Sequence, residues 1–239
     1  QDARRPPGAG RFRDGLFLPD PIAFQAFELF ESIRASYKMP KKGTSGYGEF
    51  GLSMLSPKVV MKAPGDIEVN GAPIEVKGND ARLYADERTA AVAEGATPTT
   101  PVVRGAAPGL INNVMTNLMN PDPAVRQETA NQVIAAFKGR GMNNGRNIVA
   151  AARAAGYDQG LQILQTEWWR AGFNSYHGAI KMPIMVIGFG QYLISDNAED
   201  FIKWGCLPRT AANYGYMFGR QVGQSRETYP KIFVPGHNK

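Results

Sequence analysis

Asp66, Glu75 and Lys77 are the residues of this chain whose types and spacing could do chemistry together. They flank Asn70-Gly71, the strongest short hairpin signal, because a type I′ turn needs positive φ at both central positions. With the turn there, Val69 faces Ala72, Glu68 faces Pro73, Ile67 faces Ile74, and Asp66 faces Glu75. Side chains alternate along a strand. Ile67, Val69, Ile74 and Val76 therefore share an apolar face, and Asp66, Glu75 and Lys77 share the other. Pro73 falls in a non-hydrogen-bonded pair, so its missing N–H costs the ladder nothing. Asp66 and Glu75 fall in another such pair, where side chains sit closest. Two carboxylates directly opposite each other repel, and a divalent cation between them reverses the sign. Mg²⁺ takes oxygen ligands at about 2.0–2.1 Å, and carboxylates whose Cβ atoms lie about 5 Å apart can both reach one ion. Lys77, on the same side, can steady an attacking water or the developing negative charge at a phosphate. Removing one carboxylate is expected to leave metal-free stability unchanged or slightly raised. The bland alternative is an exposed hairpin with solvated charges.

Gly65-Asp66 followed by Ile74-Glu75-Val76-Lys77, with eight residues between the two carboxylates, resembles the signature of the PD-(D/E)xK nuclease superfamily. Archaeal Holliday-junction resolvases, many restriction enzymes and many phage nucleases belong to it. The likeness covers roughly residues 45–83 and departs from the name-giving pattern in that Gly65 stands between Pro64 and Asp66. It implies a restriction-endonuclease-like α/β fold, a mixed sheet flanked by helices. It also implies a metal-dependent DNA endonuclease, phage-encoded, that hydrolyses phosphodiester bonds with Mg²⁺ or Mn²⁺. The family adds an acidic residue on the helix before the hairpin. Glu49, seventeen residues ahead of Asp66 in a short helix stopped by Pro57, matches that position. The implied metal ligands are Glu49, Asp66 and Glu75 with the Val76 carbonyl, and Lys77 completes the catalytic set. Because fold does not fix function, the alternative is a non-enzymatic phage structural or DNA-binding protein that keeps a nuclease-like fold.

Composition narrows the chemistry further. Cys206 is the lone cysteine and His177 and His237 the only histidines, so disulfide frameworks and cysteine or histidine metal clusters are excluded. Any metal must be held by carboxylates, which suits Mg²⁺ or Mn²⁺. The net charge of +6 favours a polyanionic partner, here DNA. Lys41 and Lys42, in a basic loop leading into the Glu49 segment, and Arg82, just past the motif, are the candidate phosphate contacts. No apolar run approaches the length of a membrane span, and no stretch reads as a signal peptide. We therefore expect no membrane partner, a place in the host cytoplasm or the virion, and assembly as a homodimer or within a phage particle. The chain begins with Gln1 rather than Met, so a natural start upstream is expected.

The elements that must position these residues are read as follows. Residues 1–21 form a basic Pro/Gly-rich arm outside the core, and residues 22–37 a helix with an aromatic stripe. Residues 97–109 form a linker. Residues 109–156 form a helical insertion. One of its helices starts at Asp122 as N-cap with Pro123 behind it and stops at Gly139. Another is ended by Gly156. Residues 158–171 form a further helix, 183–194 a bent strand or tight hairpin, and Asp196 with Glu199 a capping box for a helix through Trp204. A last strand is placed at 229–234. The α/β core then comprises 22–108 and 157–239, interrupted by the insertion, where added loop length costs little.

Overall fold

The computed structural model describes residues 9–11, 52, 59–61, 65–83, 109–208, 217–218 and 230–236. The chain divides into two compact units, one of Gln1–Ala81, Lys181–Cys206 and Ile232–Asn238, the other of Arg82–Ile180, Leu207–Lys231 and Lys239.

The first unit is built on a mixed six-stranded sheet. Its strands are β1 (Ala9–Arg11), β2 (Val59–Val60), β3 (Ile67–Val69), β4 (Ala72–Gly78), β7 (Ile184–Gly188) and β8 (Gln191–Ser195), in the order β1-β8-β7-β4-β3-β2. β4 and β7 run parallel and every other pair antiparallel. A parallel pair needs a crossover, and here it spans everything between Gly78 and Ile184. β7 lies between β4 and β8 and is buried along Ile184, Met185, Val186 and Ile187, as its unbroken apolar run requires of a central strand. On one face Ile67, Ile74, Val76, Met185, Ile187 and Tyr192 pack with Leu52 and Val59, and Val69 lies against them. This is the apolar hairpin face expected from alternation.

Two expectations change in this unit. The arm is not wholly outside the core, because residues 9–11 pair with β8 as an edge strand. Of the two forms expected for 183–194, the tight hairpin is the one that forms, with Phe189 (φ 50°) and Gly190 (φ 69°) as its two turn residues. The helix after it, α5 (Ala198–Trp204), is capped by Asn197, which accepts from the Glu199 N–H at 3.0 Å. The expected Asp196/Glu199 box is shifted by one residue. Asp200 then occupies the third helical position and takes the Ser195 hydroxyl at 2.6 Å.

The second unit holds α1 (Ile111–Leu118), α2 (Pro123–Lys138), α3 (Gly145–Ala154) and α4 (Tyr157–Ile180). Residues 109–156 are therefore mainly helical, with one two-residue strand, β6 (Gly109–Leu110), paired to β9 (Met217–Phe218). Asp122 caps α2 through the Ala124 N–H at 2.8 Å, and Pro123 opens the helix. α2 ends at Lys138, yet Gly139 stays right-handed (φ −61°) and the left-handed residue is Gly141. The unit is wider than the 109–156 insertion. Leu164, Trp168 and Ala171 of α4 share one core with Met115, Val133, Phe137 and Val149, so α4 belongs with these helices rather than with the sheet. α4 also runs nine residues past its expected end at Ala171. Gly172 lies within it, where a Cβ would lie 2.3 Å from Pro230 Cγ. The glycine is needed for close approach, not for termination. Trp169, Phe173 and His177 stack at four-residue spacing along α4, and the Trp169 indole donates to the Lys231 carbonyl at 2.9 Å.

The expected helix at 22–37, the linker up to residue 108 and the basic segment 38–46 lie outside the described residues. The last expected strand is seen as β10 (Lys231–Ile232), paired with β5 (Ala81–Arg82). Among the described residues, no helix is long and apolar enough to cross a membrane.

Candidate metal and catalytic site

Asn70 (φ 51°) and Gly71 (φ 85°) both take the left-handed conformation that a type I′ turn needs. The ladder follows from it, with Val69 opposite Ala72, Glu68 opposite Pro73 and Ile67 opposite Ile74. The ladder stops one pair short of Asp66 and Glu75. Ile67 pairs with Ile74, and the Asp66 N–H also donates to the Ile74 carbonyl at 3.1 Å. Two residues of one strand thus meet one of the other, the pattern of a β-bulge, which re-aims a side chain at a strand end. Gly65 makes this possible. A Cβ there would lie 2.9 Å from both the N and the O of Ile74, so only glycine lets the chain pass so close.

Turned by the bulge, the Asp66 carboxylate runs along the strand edge and accepts the Val76 N–H at 2.8 Å. It replaces the backbone acceptor that β3 would have offered had it continued. Glu75 and Lys77 project from the face opposite Ile74 and Val76. Lys77 Nζ donates to Glu75 Oε1 at 2.5 Å, with the two side chains only 16% and 15% exposed. The Glu75 carboxylate is near enough to act on Asp66. Burial, and then the negative charge of Glu75, push the Asp66 carboxyl above its ordinary value, against the opposing pull of the Val76 N–H and Lys77. The structure therefore brings Asp66, Glu75, Lys77 and the backbone of Val76 together in one half-buried cluster.

Glu49, Lys41 and Lys42 lie outside the described residues. Arg82 is exposed on β5 and belongs to the other compact unit. Among the described residues, no three Asp, Glu, His or Cys side chains gather as a metal-holding group. The donors present, two carboxylates and a peptide carbonyl, are hard oxygen ligands of the kind Mg²⁺ and Mn²⁺ prefer. The like-charge contact at Asp66 is one that a divalent cation would relieve. Sequence reasoning missed Gly65 as a positioning residue and Asp66 as the acceptor for Val76. The glycine directly before the strand carboxylate was the only available signal.

The Val76 hydrogen bond changes what is expected of Asp66→Ala without metal. Asp66→Ala strands a part-buried N–H, which costs about 1–3 kcal/mol. Asp66→Asn keeps an oxygen for that N–H and removes only the charge. The folded state raises the Asp66 pKa, so it holds the proton more tightly than the unfolded chain does. The stability this contributes is fully present below the ordinary carboxylate pKa and is lost as pH rises through the folded value. Metal-free Asp66→Asn should thus melt above the parent at neutral pH, and the difference should shrink towards zero in acid. Thermal melts of the parent, Asp66→Asn and Asp66→Ala across that pH range check both signs.

Comparison of the chain with protein-family models, with curated proteins and with solved structures finds no match.

Proposed function

We propose that this protein is a Mg²⁺-dependent DNA endonuclease of the PD-(D/E)xK type, with a restriction-endonuclease-like core and a phage origin. The observation that carries the reading is the half-buried cluster of Asp66, Glu75 and Lys77, two like charges and one cation held by a bulged hairpin. In this reading Asp66 and Glu75 hold the metal, joined by Glu49 and the Val76 carbonyl. The bound cation would offset negative charge on the phosphate and the leaving oxygen. Lys77 orients the attacking water and supports the charge that develops on phosphorus oxygens. Its 2.5 Å bond to Glu75 makes the ammonium a stand-in for a cation at that carboxylate, to be displaced when the metal enters. The excess of basic residues supplies sequence-independent affinity for the DNA backbone.

A second reading has its own support. Asp66 satisfies Val76, and Lys77 neutralises Glu75, so the cluster is also consistent with a structural strand end in a non-enzymatic DNA-binding or phage-particle protein. Two measurements separate the readings. In the nuclease, Mn²⁺ raises the melting temperature and Mg²⁺ supports cleavage of at least one of linear, flapped, branched or single-stranded DNA. Lys77→Met then binds Mn²⁺ more tightly, because a competing cation is gone, yet cleaves at least about a hundredfold more slowly, the low end of what one positioned group contributes. No stabilisation by Mn²⁺ together with no cleavage leaves the structural reading.

A further inference from the structure

Among the described residues, two two-residue hairpin turns share the same geometry. Asn70-Gly71 has φ of 51° and 85°, and Phe189-Gly190 has φ of 50° and 69°. Asparagine and glycine populate that conformation with ease. A bulky aromatic residue with positive φ is an outlier that persists only where the surroundings hold it. Phe189 is also 55% exposed, so it does not occupy the turn in order to fill the core. It combines backbone strain with apolar exposure at a position where the same protein uses asparagine elsewhere.

The place of this tip in the sheet is informative. β7 pairs in parallel with β4, with Val186 opposite Lys77 and Ile187 opposite Gly78. The tip therefore projects beyond the end of β4 that carries Lys77, about 10 Å along the strand direction from that row at roughly 3.3 Å per residue. On the other side Arg11 of β1 stands at the register position opposite Gln191, the residue that follows the turn. An exposed aromatic ring thus lies within a few nucleotides of the candidate site, in a chain of net charge +6. Aromatic rings that bind single strands stack on bases of any sequence.

We propose that Phe189 is a stacking platform for an unpaired nucleobase of the DNA, holding a single-stranded or frayed segment beside the Asp66/Glu75/Lys77 cluster. This rests on the reading that the partner is DNA. The test uses the full chain in metal-free buffer, so that nothing is cut, with a short single-stranded oligonucleotide and the duplex of the same sequence as probes. Phe189→Asn recreates the other turn and should raise the melting temperature. It should also weaken single-strand binding about five- to 150-fold, with little change for the duplex. Phe189→Trp should keep the affinity. A lower melting temperature for Phe189→Asn, or single-strand affinity unchanged, overturns the inference, since either makes the ring a packing residue. A cleavage assay of the parent with Mg²⁺ separates the two proposals. Cleavage with no effect of Phe189→Asn removes the stacking role alone. Binding that depends on Phe189 without cleavage removes the nuclease reading alone. A parent that binds no DNA removes both.

Discussion

Glu75→Gln and Asp66→Asn should each lower Mg²⁺-dependent DNA cleavage by at least about a thousandfold while leaving DNA affinity close to that of the parent. The size follows from the role of the carboxylates. A metal that offsets charge on the transferring phosphoryl group supplies several kcal/mol to the transition state, and each 1.36 kcal/mol is a factor of ten in rate. The amides keep the shape of the site. Asp66→Asn still offers an oxygen to the Val76 N–H that the carboxylate accepts from at 2.8 Å, so lost activity cannot be put down to a broken hairpin. Glu75→Gln removes the charge that holds Lys77 and leaves an oxygen in its place. In the proposed reading, DNA affinity would by contrast come from basic residues spread over the chain. It acts through counterion release and should fall steeply with salt in the parent and both variants alike. Rates, filter-binding affinities and melts on the three proteins read out the separation. Robust cleavage by both amide variants would place the chemistry elsewhere in the molecule.

Phe137→Ala should destabilise the helical unit by about 3–5 kcal/mol, the range for truncating a buried aromatic residue. Phe137 has no exposure, and it meets the Trp168 ring edge-on at 5.5 Å between centroids. Such pairs contribute about 0.5–1.5 kcal/mol beyond their buried area. Arg140 lies over the other partner, 4.2 Å from the Trp168 ring centre. The cavity left by the alanine would therefore be bordered by a large ring and a guanidinium, neither of which can collapse into it easily. Urea unfolding should show a lower midpoint, and Val125→Ala, on the half-buried rim of the same helix, should show a much smaller loss. A Phe137→Ala midpoint equal to that of Val125→Ala would mean that α2 and α4 do not depend on each other as described.

Much of the local structure was legible because it is dictated by neighbours in sequence. Asn70-Gly71 determines its own turn, and the turn sets the register and the apolar face of Ile67, Ile74 and Val76. Asp122-Pro123 determines the start of α2 for the same reason, since capping involves only the first turn of a helix. The pairing of the Asp66, Glu75 and Lys77 positions could be proposed from alternation alone. What alternation does not contain is a bulge. The close passage of Gly65 over Ile74 swings the Asp66 carboxylate onto the Val76 N–H, and that changes the sign expected for Asp66→Ala. Long-range partners decided the rest. The sequence placed the end of α4 at Ala171, but the helix runs on to Ile180, and at Gly172 it passes Pro230 closer than a Cβ allows. The apolar stripe of α4 would suit a sheet as well as a helix, and only the presence of Val133 and Phe137 opposite it assigned α4 to the helical unit. The sequence alone determined turns, caps and faces, which depend on interactions within a few residues. Tertiary structure alone decided which surfaces met and where a backbone had to come closer than a Cβ allows, because those distances depend on partners far away in sequence, such as Pro230 for Gly172 and Ile184 for Glu75.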